Sequence, residues 1–371
     1  MAPIPFISSL LELLLGIALL FSGGEIFVQG SVALSIILGI PQLVIGLTVV
    51  SLGTCAPEFF VSVISFIKGS DALAVSNVIG SNIFNVMVVL GLSSLILPLK
   101  VESRLVRRDV PLLLGVSAAV WGMGSSGVFT WQAGAALLMA LCINTIWEIR
   151  TAREIPIETQ DAEPEIDIKK EAKSFTNAGG RIVIGIALLT IGSRLLVNGA
   201  GSIATSMGIS ETIVGLTIVS AGTSMPELMT SLVAALRGRT DLAIGNVVGS
   251  CLLNQLLVLG TCSLLSGNNG LHVEEALINK DLPIMVITTL SCMPIFWTKG
   301  KISRTEGGIL LSLYLLYLAD QVLLISSPDF HQVYRDTIIY LILPLTLIFI
   351  IFKTLSYWTL KRKSLITNNP D

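Results

Sequence analysis

Two glutamates, Glu58 and Glu227, each follow a proline inside an otherwise apolar run, in "GTCAPE" (53–58) and "GTSMPE" (222–227). At bilayer depth proline removes a backbone hydrogen bond that lipid cannot replace, and a carboxylate there needs a partner or a wet cavity. The neighbouring residues supply oxygen. Ser51, Thr54, Glu58 and Ser62 share one helical face, and Ser220, Thr223, Glu227 and Ser231 repeat the arrangement. Pro57 cannot donate to the carbonyl of Gly53, and local unwinding would free carbonyls near Ser51. Asn77, Ser81 and Asn85 form a second stripe, matched by Asn246, Ser250 and Asn254, with Gly80 and Gly249 beside them for close helix contact. Carboxylates, amides, hydroxyls and freed carbonyls are hard ligands. Calcium takes about six to eight such oxygens, and sodium accepts the same types. Two negative charges suit one divalent ion, or monovalent ions or protons taken in exchange. The competing reading makes the prolines simple kinks and the Asn/Ser stripes interhelical glue. A lone proline would be read that way, whereas a Pro-Glu pair occurring twice reads as an ion site.

The elements that position these residues are membrane helices. The chain of 371 residues is 53% hydrophobic and only 13% charged, with a mean hydropathy of +0.83, which is a membrane-protein composition. Five cysteines lie in apolar stretches without metal-finger or redox spacing, so free thiols are expected. Spans long enough to cross a bilayer fall at about 5–38, 41–67, 72–98, 109–124 and 128–148, then 180–207, 210–236, 241–266, 280–297 and 306–325, with an extra one at 337–358. The first carries no basic leader and has Glu12 in its apolar run, so it reads as a retained helix. The charged stretch between the two sets reads as a solvated linker without a spaced loop of calcium ligands. Eleven crossings place 18 of the Lys and Arg residues on one side and only Lys68, Lys280 and Arg335 on the other. The positive-inside rule then puts the N-terminus outside and the linker and C-terminus in the cytoplasm.

A shift of 169 residues aligns "VIGLTVVSLGTCAPE" (44–58) with "IVGLTIVSAGTSMPE" (213–227), and 68–91 with 237–260. Three residues further on, "RRDVP" at 107 matches "NKDLP" at 279. Five crossings per unit is an odd number, so the second copy enters the membrane inverted. Inverted repeats with interrupted helices are the architecture of secondary transporters, with the site at the midplane between repeats. The expected fold is therefore all-α and polytopic: a first five-helix repeat (1–149), a cytoplasmic linker (150–179), a second repeat (180–326), and an extra helix with a basic tail (327–371).

At "GTCAPE" with "GSNIFN" (80–85) and "GTSMPE" with "GSCLLN" (249–254), the chain resembles the sodium/calcium exchanger branch of the calcium/cation antiporter superfamily. The resemblance covers both repeats. It implies alternating access by sliding of the first and sixth helices in a bacterial plasma membrane. It also implies an ion site of Glu58 and Glu227, Thr54 and Thr223, backbone oxygens at Ser51 and Ser220, hydroxyls of Ser81, Ser224 and Ser250, and the side chains of Asn85 and Asn254. Three departures stand out. Asn254 occupies a position where these exchangers often carry aspartate, and proton-coupled relatives often have Asn in both repeats. Cys55 replaces the usual serine and Cys251 the usual asparagine; the thiols are either volume-conserving fillers or soft ligands that admit metals such as cadmium.

These readings make Ca2+ and Na+, or Ca2+ and H+, the transported substrates. They need no cofactor and no nucleic-acid partner, only membrane lipid around the helices. A passive channel would show a continuous polar pore rather than one buried duplicated site, and an enzyme would show a His cluster, a nucleophile–base pair or a phosphate loop in a span. Of the remaining charges, Glu25 and Arg194 occupy matched positions 169 apart, where an interhelical ion pair or two wet vestibules would explain them. Asp320 has no evident repeat partner and reads as reaching the outer headgroups or as a functional charge. His272 and His331 fall in connecting loops.

Overall fold

The computed structural model describes residues 3–152, 175–209, 214, 217–218, 220–297 and 300–338. Most of the expected linker, the entry to the seventh span, and nearly all of the extra span at 337–358 with its tail lie outside these residues. The described chain is mostly helical. In chain order it comprises α1 (Pro3–Leu38), α2 (Gln42–Thr54), α3 (Ala56–Ile67), α4 (Asp71–Ile96), α5 (Val110–Gly124), α6 (Trp131–Ala152) and α7 (Phe175–Ser206). Then follow a short turn of helix (Ser220–Thr223), α8 (Met225–Leu236), α9 (Thr240–Leu265), α10 (Leu282–Trp297), α11 (Arg304–Ser326) and α12 (Pro328–Thr337). Six of these helices are long and apolar enough to cross a membrane on their own, and α2 with α3 makes a further span bent by 45°. The chain is an integral membrane protein.

α9 is buried along nearly its whole length and α4 along most of it, whereas α1, α6, α7 and α11 turn most positions outward. The two helices that carry the Asn/Ser stripes are thus the core, and the apolar outer helices face lipid. Two short antiparallel ribbons join the halves. Leu99–Lys100 pairs with Lys301–Ile302, and Val128–Phe129 pairs with Leu271–His272.

α1 has 36 residues, about 54 Å at 1.5 Å per residue, longer than a bilayer's apolar core, so it crosses tilted. It lies antiparallel to α7 through two glycine rows seven residues apart, Gly16, Gly23, Gly30 and Gly185, Gly192, Gly199. A Cβ on Gly16 would sit 2.6 Å from the Leu196 amide nitrogen, on Gly185 2.6 Å from the Phe27 Cβ, and on Gly199 2.5 Å from the Ser9 carbonyl oxygen. Backbones this close make the pair one packed unit. The same device recurs where α9 crosses α2: a Cβ on Gly249 would meet the Leu47 carbonyl at 2.6 Å.

This antiparallel packing rules out the ion pair between Glu25 and Arg194, one of the two arrangements left open by their matched positions. Contacts between α1 and α7 join residues whose numbers sum to 208–212, so Glu25 and Arg194 are displaced by about 13 Å along the axis. Glu25 instead takes the guanidinium of Arg237, just beyond α8, and accepts from Gln29 Nε2 at 2.7 Å.

Asp320 is also corrected. It is 7% exposed and is held by Lys280 and by His331 Nε2 at 2.9 Å. His331 stands on the helix α12 rather than in a loop. Beside them Asp281 accepts from Tyr317 Oη at 2.9 Å and Gln321 Nε2 at 3.3 Å. Asp320 does have a counterpart, Glu148, at the 172-residue offset of "RRDVP" and "NKDLP". Glu148 is bound by Arg104 and Arg108. Arg108 also donates to Asp109 at 2.7 Å and to Asn144 at 2.5 Å, and stacks 3.5 Å above the Trp147 ring. Both clusters are buried charges made tolerable by pairing.

Candidate functional site

The bend between α2 and α3 falls at Cys55, one residue before the helix that Pro57 opens. Proline at N1 or N2 loses nothing there, because those N–H groups have no helical partner anyway. Unwinding is narrower than the proline suggests: the Ser51 carbonyl keeps a bond from the Cys55 N–H at 2.9 Å. The irregularity lies upstream, where Gly46–Val50 is a π-helical segment. Further π segments begin at the two stripe residues, Asn85–Leu90 and Asn254–Leu259. A π turn inserts a residue and re-aims the side chains after it, and such turns gather at functional sites.

Glu58 and Glu227 are both fully buried, within electrostatic reach of one another. Ser224 Oγ lies 2.9 Å from Glu58 Oε1 and 3.1 Å from Ser81 Oγ. Thr54 Oγ1 donates to Asn246 Oδ1 at 3.1 Å and lies 3.5 Å from Ser250 Oγ. Thr223 Oγ1 donates to Asn77 Oδ1 at 3.4 Å. Each of these asparagines also straps the opposite side of its own glutamate. Asn77 Nδ2 donates to the Glu58 carbonyl at 3.3 Å and Ser62 Oγ at 2.9 Å, and Asn246 Nδ2 does the same to the Glu227 carbonyl and Ser231 Oγ at the same distances. Residues 169 apart therefore make the same bonds in the two halves.

What remains unbonded defines the chemistry. Glu58 Oε2, both oxygens of Glu227, and the amide oxygens and nitrogens of Asn85 and Asn254 are buried with no hydrogen-bond partner among the described residues. Buried carboxylate oxygens are not left so without reason. The threonine hydroxyl hydrogens beside them are spent on asparagine oxygens. The hydroxyl oxygens therefore offer lone pairs, and together with the three unbonded carboxylate oxygens and the two amide oxygens they suit a cation. Among the described residues no three His, Cys, Asp or Glu side chains are gathered as a metal cluster, so neutral oxygens would have to supply most of the donors around the carboxylates.

A family profile for sodium/calcium exchanger proteins matches residues 8–149 and 178–323. The chain belongs to the sodium/calcium exchanger protein family. Its fold is similar to solved structures of the sodium-calcium exchanger NCX_Mj. One of them, soaked with 2.5 mM Na+ and 0.1 mM Ca2+, aligns with a TM-score of 0.71 at 30% identity, over 86% of this chain and 99% of that one. A membrane protein of Methanocaldococcus jannaschii is 33% identical over 307 residues, 82% of this chain and 95% of its own length. The sodium/calcium exchanger MaX1 of Methanosarcina acetivorans is 28% identical over 350 residues, 83% of this chain and 97% of that protein. The family is one of cation antiporters with calcium as a cargo, a transporter family rather than an enzyme family.

Of the residues named from the exchanger pattern, the structure brings Glu58, Ser81, Ser224 and, through Asn77, Thr223 into one bonded network, and Thr54 with Ser250 into a second. Glu227, Asn85 and Asn254 are buried with their polar ends unbonded. Ser51 Oγ turns to the carbonyls of Gly46 at 2.6 Å and Asn246 at 3.1 Å, so only its backbone oxygen is a ligand candidate. The Ser220 side chain lies outside the described residues. Sequence reasoning assigned Asn77 and Asn246 no more than a place in a stripe, and missed Gln255 altogether. Gln255 is fully buried, and its Nε2 donates to Asn82 Oδ1 and Ser117 Oγ, both at 3.1 Å, tying the core helices α4 and α9 to α5. Its signal was available: the repeat counterpart, at 86, is Val.

Proposed function

We propose that the chain is a secondary active antiporter exchanging Ca2+ for Na+. The ions would occupy one midplane site built from Glu58, Glu227, Thr54, Thr223, Ser81, Ser224, Ser250, Asn85, Asn254 and the backbone oxygens of Ser51 and Ser220. The observation that carries this reading is the pair of buried carboxylates with unbonded oxygens, flanked by two threonine hydroxyls whose hydrogens go to asparagine oxygens. Two negative charges neutralise one calcium ion, or the monovalent ions that replace it, so either load leaves the buried site near neutrality.

Alternating access fits a chain of two inverted five-helix repeats, 1–149 and 180–326, with an eleventh helix outside them. Its support is the duplicated bonding around Glu58 and Glu227 and the odd number of spans per repeat. The glycine-packed pair α1 and α7 is the natural moving body, because its internal contacts are backbone to backbone. The membrane is a bacterial plasma membrane, with the N-terminus outside and the linker and C-terminus in the cytoplasm, as the distribution of Lys and Arg favours.

A second reading couples calcium to protons. It is favoured by Asn85 and Asn254, neutral amides in both repeats, which leave two carboxylates as the site's acidic groups. Calcium uptake into vesicles holding the purified protein, driven in turn by outward sodium and proton gradients, separates the two. Uptake with sodium alone supports the first reading, and uptake with protons alone replaces it by the second.

A further inference from the structure

We infer that Cys55 makes this site accept a soft divalent cation, with its sulfur bonded to the metal alongside the Glu227 carboxylate. The inference rests on the ion site proposed above and names a second class of substrate for it.

Cys55 is 2% exposed, at the bend between α2 and α3, one residue from Thr54. Its Sγ donates to the Ser250 carbonyl at 3.7 Å, across the interface between the halves. Its repeat counterpart is Ser224, whose Oγ bonds Glu58 Oε1 directly. By the same pseudo-symmetry Cys55 faces the other carboxylate, and the thiol and Thr54 do lie against Glu227. Neither reaches hydrogen-bond geometry with it, so both Glu227 oxygens stay unbonded and fully buried. A thiol beside an unpartnered buried carboxylate is a different donor set from the Ser224–Glu58 side, where oxygen meets oxygen. Calcium and sodium gain little from sulfur, while cadmium binds thiolate strongly and tolerates carboxylate and carbonyl oxygens beside it. When the metal–sulfur bond forms, the S–H bond breaks and its proton leaves to water. The donors are then Cys55 Sγ, Glu227, the Thr54 hydroxyl and the Ser250 carbonyl. Cys251 donates instead to the Asn82 carbonyl at 3.8 Å and also lies within electrostatic reach of Glu227, so it is the second thiol that the test must separate from Cys55.

The test uses Cd2+ as the probe on the purified full chain, reading the ultraviolet thiolate-to-cadmium charge-transfer band and its displacement by Ca2+. The wild type should develop the band at one Cd2+ per chain and lose it as excess Ca2+ is added. Cys55→Ser should lack the band, with its affinity for Cd2+ relative to Ca2+ lowered by at least the roughly tenfold that loss of even a supporting partner causes. Cys251→Ser should keep the band. A band that survives in Cys55→Ser, or an unchanged Cd2+ to Ca2+ ratio, would overturn the inference, as would a Cys55-dependent band that Ca2+ does not displace. A Cys55-dependent band that Ca2+ displaces, in a protein that moves no calcium in vesicles, would uphold the sulfur ligand and sink the antiporter reading instead.

Discussion

Replacing Glu227 by Gln removes one of two buried charges while keeping the side chain's shape. A divalent ion about 4 Å from a carboxylate gains about 8 kcal/mol at an effective dielectric of 20. Desolvation of the carboxylate offsets a large part of this. If half survives, about 4 kcal/mol, calcium binding weakens about a thousandfold. The same arithmetic fixes the stability readout. Calcium at a hundred times its wild-type Kd stabilises the folded protein by about 2.7 kcal/mol, whereas at a thousandfold weaker Kd the same concentration adds less than about 0.1 kcal/mol. Both Glu227 oxygens are unbonded, so the amide breaks no existing hydrogen bond and the ion-free variant should fold. Calcium titration calorimetry and thermal unfolding with and without calcium, in detergent, measure both quantities. Calcium affinity within about tenfold of wild type, or an undiminished calcium-induced rise in Tm, would refute the placement of Glu227 at the ion.

Other substitutions probe the supports. Asn246→Ala frees the Thr54 hydroxyl and removes the strap on the Glu227 carbonyl, so calcium affinity should fall by about one to two kcal/mol; an unchanged calorimetric Kd would contradict the strap. Asn254→Asp adds a third carboxylate to the core and should strengthen divalent or sodium dependence in vesicle transport, with an unaltered ion profile arguing against a role for the amide. Glu148→Ala leaves Asp109 as the carboxylate that Arg104 and Arg108 share and should destabilise by about 1.5–3 kcal/mol, read as a drop in Tm, whereas Gln at the same position should recover part of it. A Glu148→Ala protein as stable as wild type would mean that the cluster is not under that constraint.

Much of this was legible because the informative residues were those a membrane helix tolerates least. Pro57, Glu58, Pro226 and Glu227 pointed to the candidate site, and the bonds around Thr54, Ser81 and Ser250 follow the spacing that grouped them, whereas Ser224 came from the resemblance alone. The bend at Cys55 was foreseen from Pro57, but the π segments that re-aim Asn85 and Asn254 leave no compositional mark. Antiparallel contact was the harder inference. Glu25 and Arg194 share a repeat position, yet inversion sends such positions to different levels of the packed pair, and the real partner of Glu25 was a residue that read as a loop charge. Asp320 was misjudged for a related reason: the repeat offset changes from 169 to 172 after the second matched block, so Glu148 does not line up with it at the offset of the ion site. Gln255 stood out only as a polar residue opposite Val86 in the repeat, and its role became legible once its partners Asn82 and Ser117 were known.

The central claim is that a cation sits between Glu58 and Glu227. Its most direct test is a crystal soaked with strontium as a calcium surrogate and the anomalous difference map computed from it. One peak within coordinating distance of both carboxylates, about 2.3–2.6 Å for a calcium-sized ion, with Thr54 or Thr223 beside it, is the predicted result. A protein that binds the ion in solution but shows its peak elsewhere would contradict the claim.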